Sequence, residues 1–373
     1  MRRRGAIALL VVCAGCGFKN PGYHYDAGDD ALGDGGGGDD DGGSGSDGPA
    51  GPCQMPAIDL HVATLSGCAD AGTADGPRGT ARFSDPVNVA LAHSGLAYIA
   101  DFDSNLIRRI DTDGTTTTLI SRPDFSRPFG LTLSVDGYLY VETDDDDMHM
   151  HSSETGTIWK VDPAGGSATV IVRDIGRPRG LAFIPDGRLA IADHMHDVVE
   201  LLDVTTGTLT VLAGMRDVAG HVNATGTAAE FAEPYDVVPY NGDLVVTDLD
   251  NNVLRRVTLT GVVTDFAGTG ASGHDDEVYA SATFAQPKGA AVDATGAIYV
   301  TEALNHDVRK LTGGSVTTLA GSTLPGWLDT DTPAQAMFYG VEGLDVSSDG
   351  ARVVIADGDV GDGMPYNRVR EVH

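Results

Sequence analysis

The sequence predicts an all-β fold built from six similar units, and two observations lead to this prediction. One phrase recurs along the chain in copies that start at Ala81, Ser126, Gly176, Glu230, Thr283 and Met337. Each copy contains short apolar runs, rich in β-branched residues and separated by turn signals, which is typical of antiparallel strands. Six four-stranded units of this kind predict a six-bladed β-propeller. A β-helix or a β-sandwich is the alternative.

The elements within a unit follow a fixed order. The first and second apolar runs are joined by an Asp or Asn followed by Gly, as in Asp136-Gly137, Asp186-Gly187, Asn241-Gly242 and Asp349-Gly350. Such pairs favour tight hairpin turns. A third run follows, and many copies add a fourth, as in residues 115–120, 208–214 and 315–321. Each unit therefore predicts a four-stranded antiparallel blade.

The last copy stops at its third run, so its fourth strand must come from elsewhere. Residues 59–67 (DLHVATLSG) are similar to the fourth-strand phrase SVTTLAG. We therefore predict that an N-terminal strand completes the last blade and closes the ring, because closure removes open sheet edges.

The repeated unit resembles the NHL repeat. The resemblance rests on a phrase F-x-x-P-x-G before the first strand, on Y-V-x-D/E at the end of the second, and on Asn305-His306 before a third strand. It extends from about residue 55 to the end of the chain, and it implies a propeller domain at residues 55–373.

The N-terminus has the pattern of an export signal. Arg2, Arg3 and Arg4 precede a short apolar stretch, which ends at Cys13-Ala14-Gly15-Cys16. This end resembles the lipobox of bacterial lipoproteins, which implies a signal peptide at residues 1–15 and lipid on Cys16. Gly17 then suggests the outer membrane. An ordinary signal peptide or a buried apolar segment is the alternative, and we expect a cell-envelope protein that touches the membrane only through its lipid anchor.

The segment after the signal has an extreme composition. Residues 26–51 are mostly Gly and Asp, so they cannot bury a core, and residues 16–54 are predicted to be a lipidated, disordered tether.

The whole chain of 373 residues carries 54 acidic and 24 basic residues, a net charge of −30. This acidity excludes a nucleic-acid partner, because phosphate contacts require clustered Lys and Arg. We expect a monomer.

Two cysteines flank the predicted closing strand. Cys53 precedes it and Cys68 follows it. Because an exported protein meets an oxidising environment, we predict a Cys53–Cys68 disulfide.

Histidines are frequent in the loops after the second and fourth strands, which leave the same face of a propeller. His149 and His151 lie in one blade, and His194 and His196 lie in the next. Because residues i and i+2 of an extended segment point the same way, these pairs could converge on zinc or a similar ion, with residues 144–147 adding carboxylates. Solvated loops are the alternative. No cofactor is predicted beyond this possible divalent metal.

In the repeat, the residue after the proline of the first strand is expected to lie at the mouth of the central channel. These positions are occupied by Val87, Phe129, Arg179, Tyr235, Lys288 and Glu342. Their mixed aromatic and charged character suits a small polar ligand or a peptide terminus. An internal network of Lys–Glu and Arg–Asp pairs is the alternative.

An acidic residue closes the second strand in five units, at Asp101, Asp193, Asp248, Glu302 and Asp357. Such carboxylates can accept hydrogen bonds within the repeat, or they can hold calcium in the channel.

Some six-bladed propellers are enzymes. Glu342 and Asp357 resemble two metal-ligand positions of the gluconolactonase group, which makes them the candidate catalytic residues. Nucleophile-elbow, zincin, P-loop and dinucleotide fingerprints do not occur in the body of the chain. The sequence therefore favours a module that binds a protein, peptide or glycan through its loop-rich face. A metal-dependent hydrolase or lyase and a purely structural envelope protein are the alternatives.

Overall fold

The computed structural model describes residues 53, 55, 58–145, 152–358, 364 and 366–373. Within these residues, 24 strands form six four-stranded sheets, and the helical segments are two 3₁₀ turns at Gly226–Ala228 and Pro333–Gln335. The prediction of an all-β, six-bladed propeller is confirmed. No helix in the described ranges is long and apolar enough to cross a membrane.

The strands follow the chain blade by blade, after the N-terminal strand β1 (Val62–Gly67). Blade one consists of β2 (Pro86–Leu91), β3 (Ala97–Asp101), β4 (Leu106–Ile110) and β5 (Thr116–Ser121). Blade two consists of β6 (Pro128–Leu133), β7 (Leu139–Thr143), β8 (Thr157–Val161) and β9 (Ala168–Arg173). Blade three consists of β10 (Pro178–Phe183), β11 (Leu189–Asp193), β12 (Val198–Asp203) and β13 (Thr208–Ala213).

The second half of the chain continues in the same way. Blade four consists of β14 (Pro234–Tyr240), β15 (Asp243–Asp248), β16 (Val253–Val257) and β17 (Val263–Ala267). Blade five consists of β18 (Pro287–Val292), β19 (Ile298–Glu302), β20 (Asp307–Thr312) and β21 (Ser315–Ala320). Blade six consists of β22 (Gly340–Val346), β23 (Val353–Gly358) and β24 (Arg368–Val372), with β1 as its outer strand.

The ring closes as the sequence predicts. Strand β1 pairs antiparallel with β24, with Val62 opposite Val372 and Gly67 opposite Arg368. All six residues of β1 are buried. A disulfide joins Cys53 to Cys68, with 6.2 Å between their Cα atoms. The sequence separation of 15 residues corresponds to about 3 kcal/mol of stabilisation in the chain-entropy view.

Turns form at all four predicted pairs, but only Asn241-Gly242 makes a two-residue turn; at the other three pairs the glycine alone (Gly137, Gly187 or Gly350) has a positive φ. In blade four, Asn241 has a φ of 49° and Gly242 a φ of 84°, and Tyr240 faces Asp243 across the turn. Two consecutive residues with positive φ form the turn whose twist matches a hairpin, and Asn-Gly is the pair best suited to it.

The blades are linked at the start of their first strands. Asn105, Asp197, Asn252 and Asn367 each accept the backbone N–H of the residue that precedes the first strand of the next blade, at 2.7 to 2.9 Å. His306 makes the corresponding contact between blades five and six, with its Nδ1 2.7 Å from Tyr339 O. The Asn305-His306 signal of the sequence therefore has a structural role at this position.

Candidate functional site

In four blades the carboxylate that ends the second strand binds an arginine of the third strand. The pairs are Asp101–Arg108 at 2.9 Å, Asp248–Arg255 at 2.7 Å, Glu302–Arg309 at 2.7 Å and Asp357–Arg370 at 3.0 Å. The four arginine side chains are 0% exposed. We call them the clamp arginines.

Each clamp arginine also holds the long loop that precedes its blade. These loops span residues 68–85, 214–233, 268–286 and 321–339. A second nitrogen of each guanidinium binds one loop side chain at 2.7 to 2.9 Å: Asp75, Asn223, Asp276 or Asp329. Each guanidinium also lies over a buried phenylalanine ring near the end of its loop: Phe83, Phe231, Phe284 or Phe338. The four loops are therefore fixed to the blades.

The long loops also pair with the outer strand of the blade that follows them. The backbone bridges are Gly76–Thr116, Thr225–Val262, Val278–Ser315 and Thr330–Val62. An open strand edge is a site for unwanted pairing, and such a loop protects it.

Blades two and three are built differently. The segments that precede them, residues 122–127 and 174–177, are short, and neither blade has a clamp arginine. In blade two the pair is replaced by Thr143 and Trp159, whose indole N–H donates to the threonine hydroxyl at 2.9 Å. In blade three the corresponding positions are Asp193 and Glu200.

The residues predicted for the channel mouth do meet one another. The Arg179 guanidinium lies 4.0 Å from the centre of the Phe129 ring, and that ring packs edge-on against Tyr235 at 6.0 Å. The Tyr235 hydroxyl donates to Glu342 at 2.6 Å, and Glu342 also pairs with Lys288. Val87, Phe129, Arg179 and Glu342 are at most 6% exposed. The internal-network alternative therefore describes the contacts between these side chains.

A buried acidic pair lies beside this network. Asp144 accepts hydrogen bonds from both arginines: Arg177 and Arg179 each donate to Oδ2 at 3.2 Å, and Arg179 also donates to Oδ1 at 2.5 Å. Glu142 is fully buried, and burial together with the negative charge of Asp144 raises its pKa well above the usual range. Arg179 therefore neutralises one of two adjacent buried carboxyl groups, and the other favours its protonated form.

Two of the four candidate metal-binding histidines can be located. His194 Nδ1 lies 2.8 Å from Arg177 O, whereas His196 Nδ1 lies 2.7 Å from Asp193 Oδ2. The expectation that both rings point the same way is not supported, because residues 194–197 form a turn rather than an extended segment. His149 and His151 lie outside the described residues. Within those residues, no group of three or more His, Cys, Asp and Glu side chains is arranged around a common metal position.

His194 is held as a neutral ring. Its side chain is only 8% exposed, and its ring packs edge-on against the Tyr235 ring, with 6.1 Å between the ring centres. Burial, followed by the charges of Arg179 and Arg177, lowers its pKa well below the usual range. This environment disfavours a second positive charge beside the two arginines.

The two candidate catalytic carboxylates have different partners. Glu342 is engaged by Lys288 and Tyr235 at the channel mouth. Asp357 binds Arg370 and accepts the backbone N–H groups of Tyr339 and Gly340 at 2.8 and 3.0 Å. Their oxygens are thus used by contacts within the protein.

The first strands of neighbouring blades approach closely. A Cβ atom on Gly180 would lie 2.5 Å from the Cα of Asp236, and one on Gly289 would lie 2.6 Å from Glu342 O. A cavity of about 770 Å³ is lined by first-strand residues and by residues of the turns between the first and second strands. Asp236 and Asp345 line it, and burial raises their pKa values to about 7 and about 6.

The clamp arginines were missed at the level of sequence. An arginine does recur at the third position of the third strand, in LIR, VLR, DVR and RVR. The signal was visible, but its partner in the preceding loop lies 32 to 41 residues away.

Comparisons with known proteins reveal the fold rather than a family. No protein-family model matches the chain. A Bacteroides thetaiotaomicron structure of unknown function superposes with a TM-score of 0.66, at 21% identity, over 83% of this chain and 74% of that one. Structures named auxiliary nutrient binding proteins give TM-scores of 0.64 in B. thetaiotaomicron and 0.65 in Bacteroides ovatus. These two are 19% and 18% identical, over 84% of this chain and 76% of each of theirs.

Two curated relatives match at lower coverage. Teneurin-m of Drosophila melanogaster is 23% identical over 287 residues, and the chloroplast protein Suppressor of quenching 1 of Arabidopsis thaliana is 23% identical over 282. Each match covers 66% of this chain, but only 10% and 27% of the two relatives. The similarity is thus confined to a small part of each relative.

Proposed function

We propose that this protein is an exported, lipid-anchored NHL-type propeller that binds a protein, peptide or glycan through its loop-rich face. The signal peptide ends at residue 15, the tether spans residues 16–54, and the monomeric propeller domain spans residues 55–373. The fold shared with the auxiliary nutrient binding proteins of Bacteroides is in keeping with a binding role at the cell envelope.

The distribution of exposed apolar side chains carries the proposal. Among the described residues, eleven large apolar side chains are exposed, and eight of them lie in the loops after the second or fourth strands. One of the eight, Val278, pairs with Ser315 beside the turn between the third and fourth strands and so lies away from the loop-rich face. The other seven are Met215, Val218, Val222, Leu304, Leu324, Leu328 and Met364. Exposed apolar groups that are concentrated in the loops of one face favour an interaction site there.

The rigidity of the loops supports the same role. The clamp arginines tie the four long loops to buried carboxylates, so the apolar side chains are presented on a preformed surface. A preformed surface loses less conformational entropy on binding. Glu342 and Asp357 are held by neighbouring side chains and backbone groups, and this favours binding over a hydrolase built on these two carboxylates.

The anchor can be tested on Cys16. We expect Cys16→Ala to move the expressed protein from the membrane fraction to the soluble fraction and to abolish incorporation of labelled palmitate. Several acyl chains provide a stable anchor, because each buried CH₂ contributes about 0.8 kcal/mol. Cys13→Ala is the matched control and should remain lipidated. Membrane retention of Cys16→Ala, or release of Cys13→Ala, would contradict the lipoprotein assignment.

The binding face can be tested with the soluble Cys16→Ala chain on a glycan array and a displayed peptide library. For a ligand found there, Leu324→Ser combined with Leu328→Ser is expected to weaken binding at least about tenfold, since each lost apolar contact contributes on the order of 1 kcal/mol. Val135→Ser, in a turn between first and second strands, is the control and should bind normally.

The same preparation distinguishes the alternative function. Zinc titration by calorimetry and assays on a lactone and ester panel should both be negative. Zinc binding tighter than high micromolar, or turnover that is lost in Glu342→Gln, would favour the metal-dependent hydrolase or lyase.

A further inference from the structure

Blade three reverses the charge of the clamp. Glu200 is the third residue of β12, and clamp arginines occupy this position in β4, β16, β20 and β24. Glu200 pairs in register with Ile191, as Arg108 pairs with Ile99 in blade one. A carboxylate thus stands where four other blades place a guanidinium.

Within the described ranges, each of the two carboxylates of this blade keeps one oxygen without a partner, although Asp193 Oδ2 pairs with His196 Nδ1 at 2.7 Å. Asp193 is 0% exposed and Glu200 is 3% exposed. Among the described residues, neither Asp193 Oδ1 nor Glu200 Oε2 has a hydrogen-bond partner. Burial, and then the charge of Asp193, raises the pKa of Glu200 to about 7. A buried carboxylate oxygen without a donor is costly, and it calls for a cation or a donor at that place.

The surroundings of the pair are negative and only loosely neutralised. Arg216 reaches in from the loop that precedes blade four, with Nη1 3.9 Å from Asp193 Oδ2, and it is 39% exposed. Glu154 and Asp217 approach His196 at 3.3 and 3.9 Å and are 68% and 66% exposed. Arg216 lies nearer to Glu154, with Nη2 3.2 Å from Oε2. Asp193, Glu200, Glu154 and Asp217 therefore share two partners, the partly exposed Arg216 side chain and the buried His196 ring.

The loop that precedes blade three is short, with residues 174–177 in place of loops as long as 214–233 or 268–286. Its Gly176 packs directly against the Asp193 carboxylate. In the clamped blades, the preceding loop supplies the acidic or amide partner of the guanidinium. In blade three, the blade itself supplies the carboxylates, and the Arg216 guanidinium stays 3.9 Å from Asp193.

The chemistry of the pair selects the type of cation. No described group of three or more metal-ligating side chains is arranged for an ion. A guanidinium, by contrast, occupies the equivalent place beside Asp101, Asp248, Glu302 and Asp357. It is planar and can bind two carboxylates through separate pairs of N–H groups.

We infer that Asp193 and Glu200 form a binding site for an external guanidinium group, as carried by an arginine side chain of a peptide or by a small guanidine compound. In this site Arg216 is an internal competitor that swings out when the ligand enters. The inference goes beyond the proposed function, because it assigns a ligand chemistry to one blade and does not involve Leu324 or Leu328.

The test is calorimetric titration of the Cys16→Ala chain with agmatine, with the blocked tripeptide Ala-Arg-Ala, and with its citrulline counterpart. Both guanidinium compounds should bind at least tenfold more tightly than the citrulline peptide. Tighter binding of the tripeptide would identify a peptide as the source, and equal binding of agmatine would identify a small guanidine. Equal binding of the citrulline peptide would overturn the inference.

Three variants separate this site from general acidity. Glu200→Gln should weaken agmatine binding at least tenfold, whereas Glu277→Gln in an exposed loop should leave it unchanged. Arg216→Ala should strengthen binding several-fold, because it removes the competitor, and this readout holds even if Glu200→Gln folds poorly. An Arg216→Ala chain that binds agmatine no better than its parent would contradict the inference, whatever the loop-face variants do.

Discussion

Replacement of Arg255 by alanine is expected to lower the free energy of unfolding by about 3 to 5 kcal/mol. The reason is the carboxylate that stays behind. Asp248 is 0% exposed and pairs with Arg255 at 2.7 Å, and an unpaired buried charge is among the most destabilising defects in a protein. The change also releases Asn223 and uncovers the ring of Phe231. Urea unfolding followed by circular dichroism measures the effect.

The adjacent residue supplies the control. Arg256 also pairs with an aspartate, Asp243, but its side chain is 49% exposed. Arg256→Ala should therefore cost no more than about 1 kcal/mol, as for other surface ion pairs. Similar losses for Arg255→Ala and Arg256→Ala would mean that the clamp contributes little to stability. Combining Arg255→Met with Asp248→Leu should recover part of the loss, because no charge is then left buried.

A chain that begins at Ala69, and so lacks β1, is expected to fail to form a monomeric ring. Strand β1 fills the outer position of blade six, and its six residues are all buried. Its loss exposes the edge of β24 along Val369 and Val372 and removes Val62 and Leu65 from the core. An open edge with apolar side chains favours aggregation, which size-exclusion chromatography would detect.

The matched control is a chain that begins at Ile58. It also lacks the N-terminal segment and the disulfide, but it keeps β1. We expect it to fold, with a loss of about 3 kcal/mol from the missing cross-link. A folded monomer from the chain that begins at Ala69 would show that β1 does not close the ring.

The two predictions describe different ways of holding the propeller together. Strand β1 acts through backbone pairing and core burial at the junction of the chain ends. The clamp arginines act within four blades and tie each to the loop before it. Blades two and three have neither a clamp nor a long loop, and the buried pairs of these blades, Thr143–Trp159 and Asp193–Glu200, differ in chemistry from the other four.

The fold was predictable because its signals are local. Alternating apolar residues and Asn-Gly or Asp-Gly pairs determine strands and turns over a few residues, and repetition then gives the number of blades. Ring closure by residues 59–67 was predictable for the same reason, since the missing fourth strand of the last copy has a recognisable counterpart near the start of the chain.

The sequence predicted which side chains meet at the channel mouth but not what they contact there. Phe129, Arg179, Tyr235, Lys288 and Glu342 share one position of the repeat, and that position placed them together at the channel mouth. The sequence left open whether they face a ligand or each other, because the choice depends on distances between blades. The Tyr235 hydroxyl and the Lys288 ammonium both reach Glu342, and so the side chains pair with one another.

The prediction that His194 and His196 point the same way toward a metal depended on an extended backbone in this loop. His194 and His196 would share a direction in an extended segment, but they lie in a turn at residues 194–197. One ring therefore meets the carbonyl of Arg177 and the other meets the carboxylate of Asp193.

By itself, the sequence determined the strands, the turns, the six-fold repetition and the closing strand, because each arises from residue types a few positions apart. Only the tertiary structure decided which charges meet. Arg309 and Asp276 are 33 residues apart in sequence, and their pairing requires a loop to fold back along the blade that follows it. Glu200 is likewise visible in the sequence. Only superposition of the blades shows that it places a carboxylate where four other blades place a guanidinium.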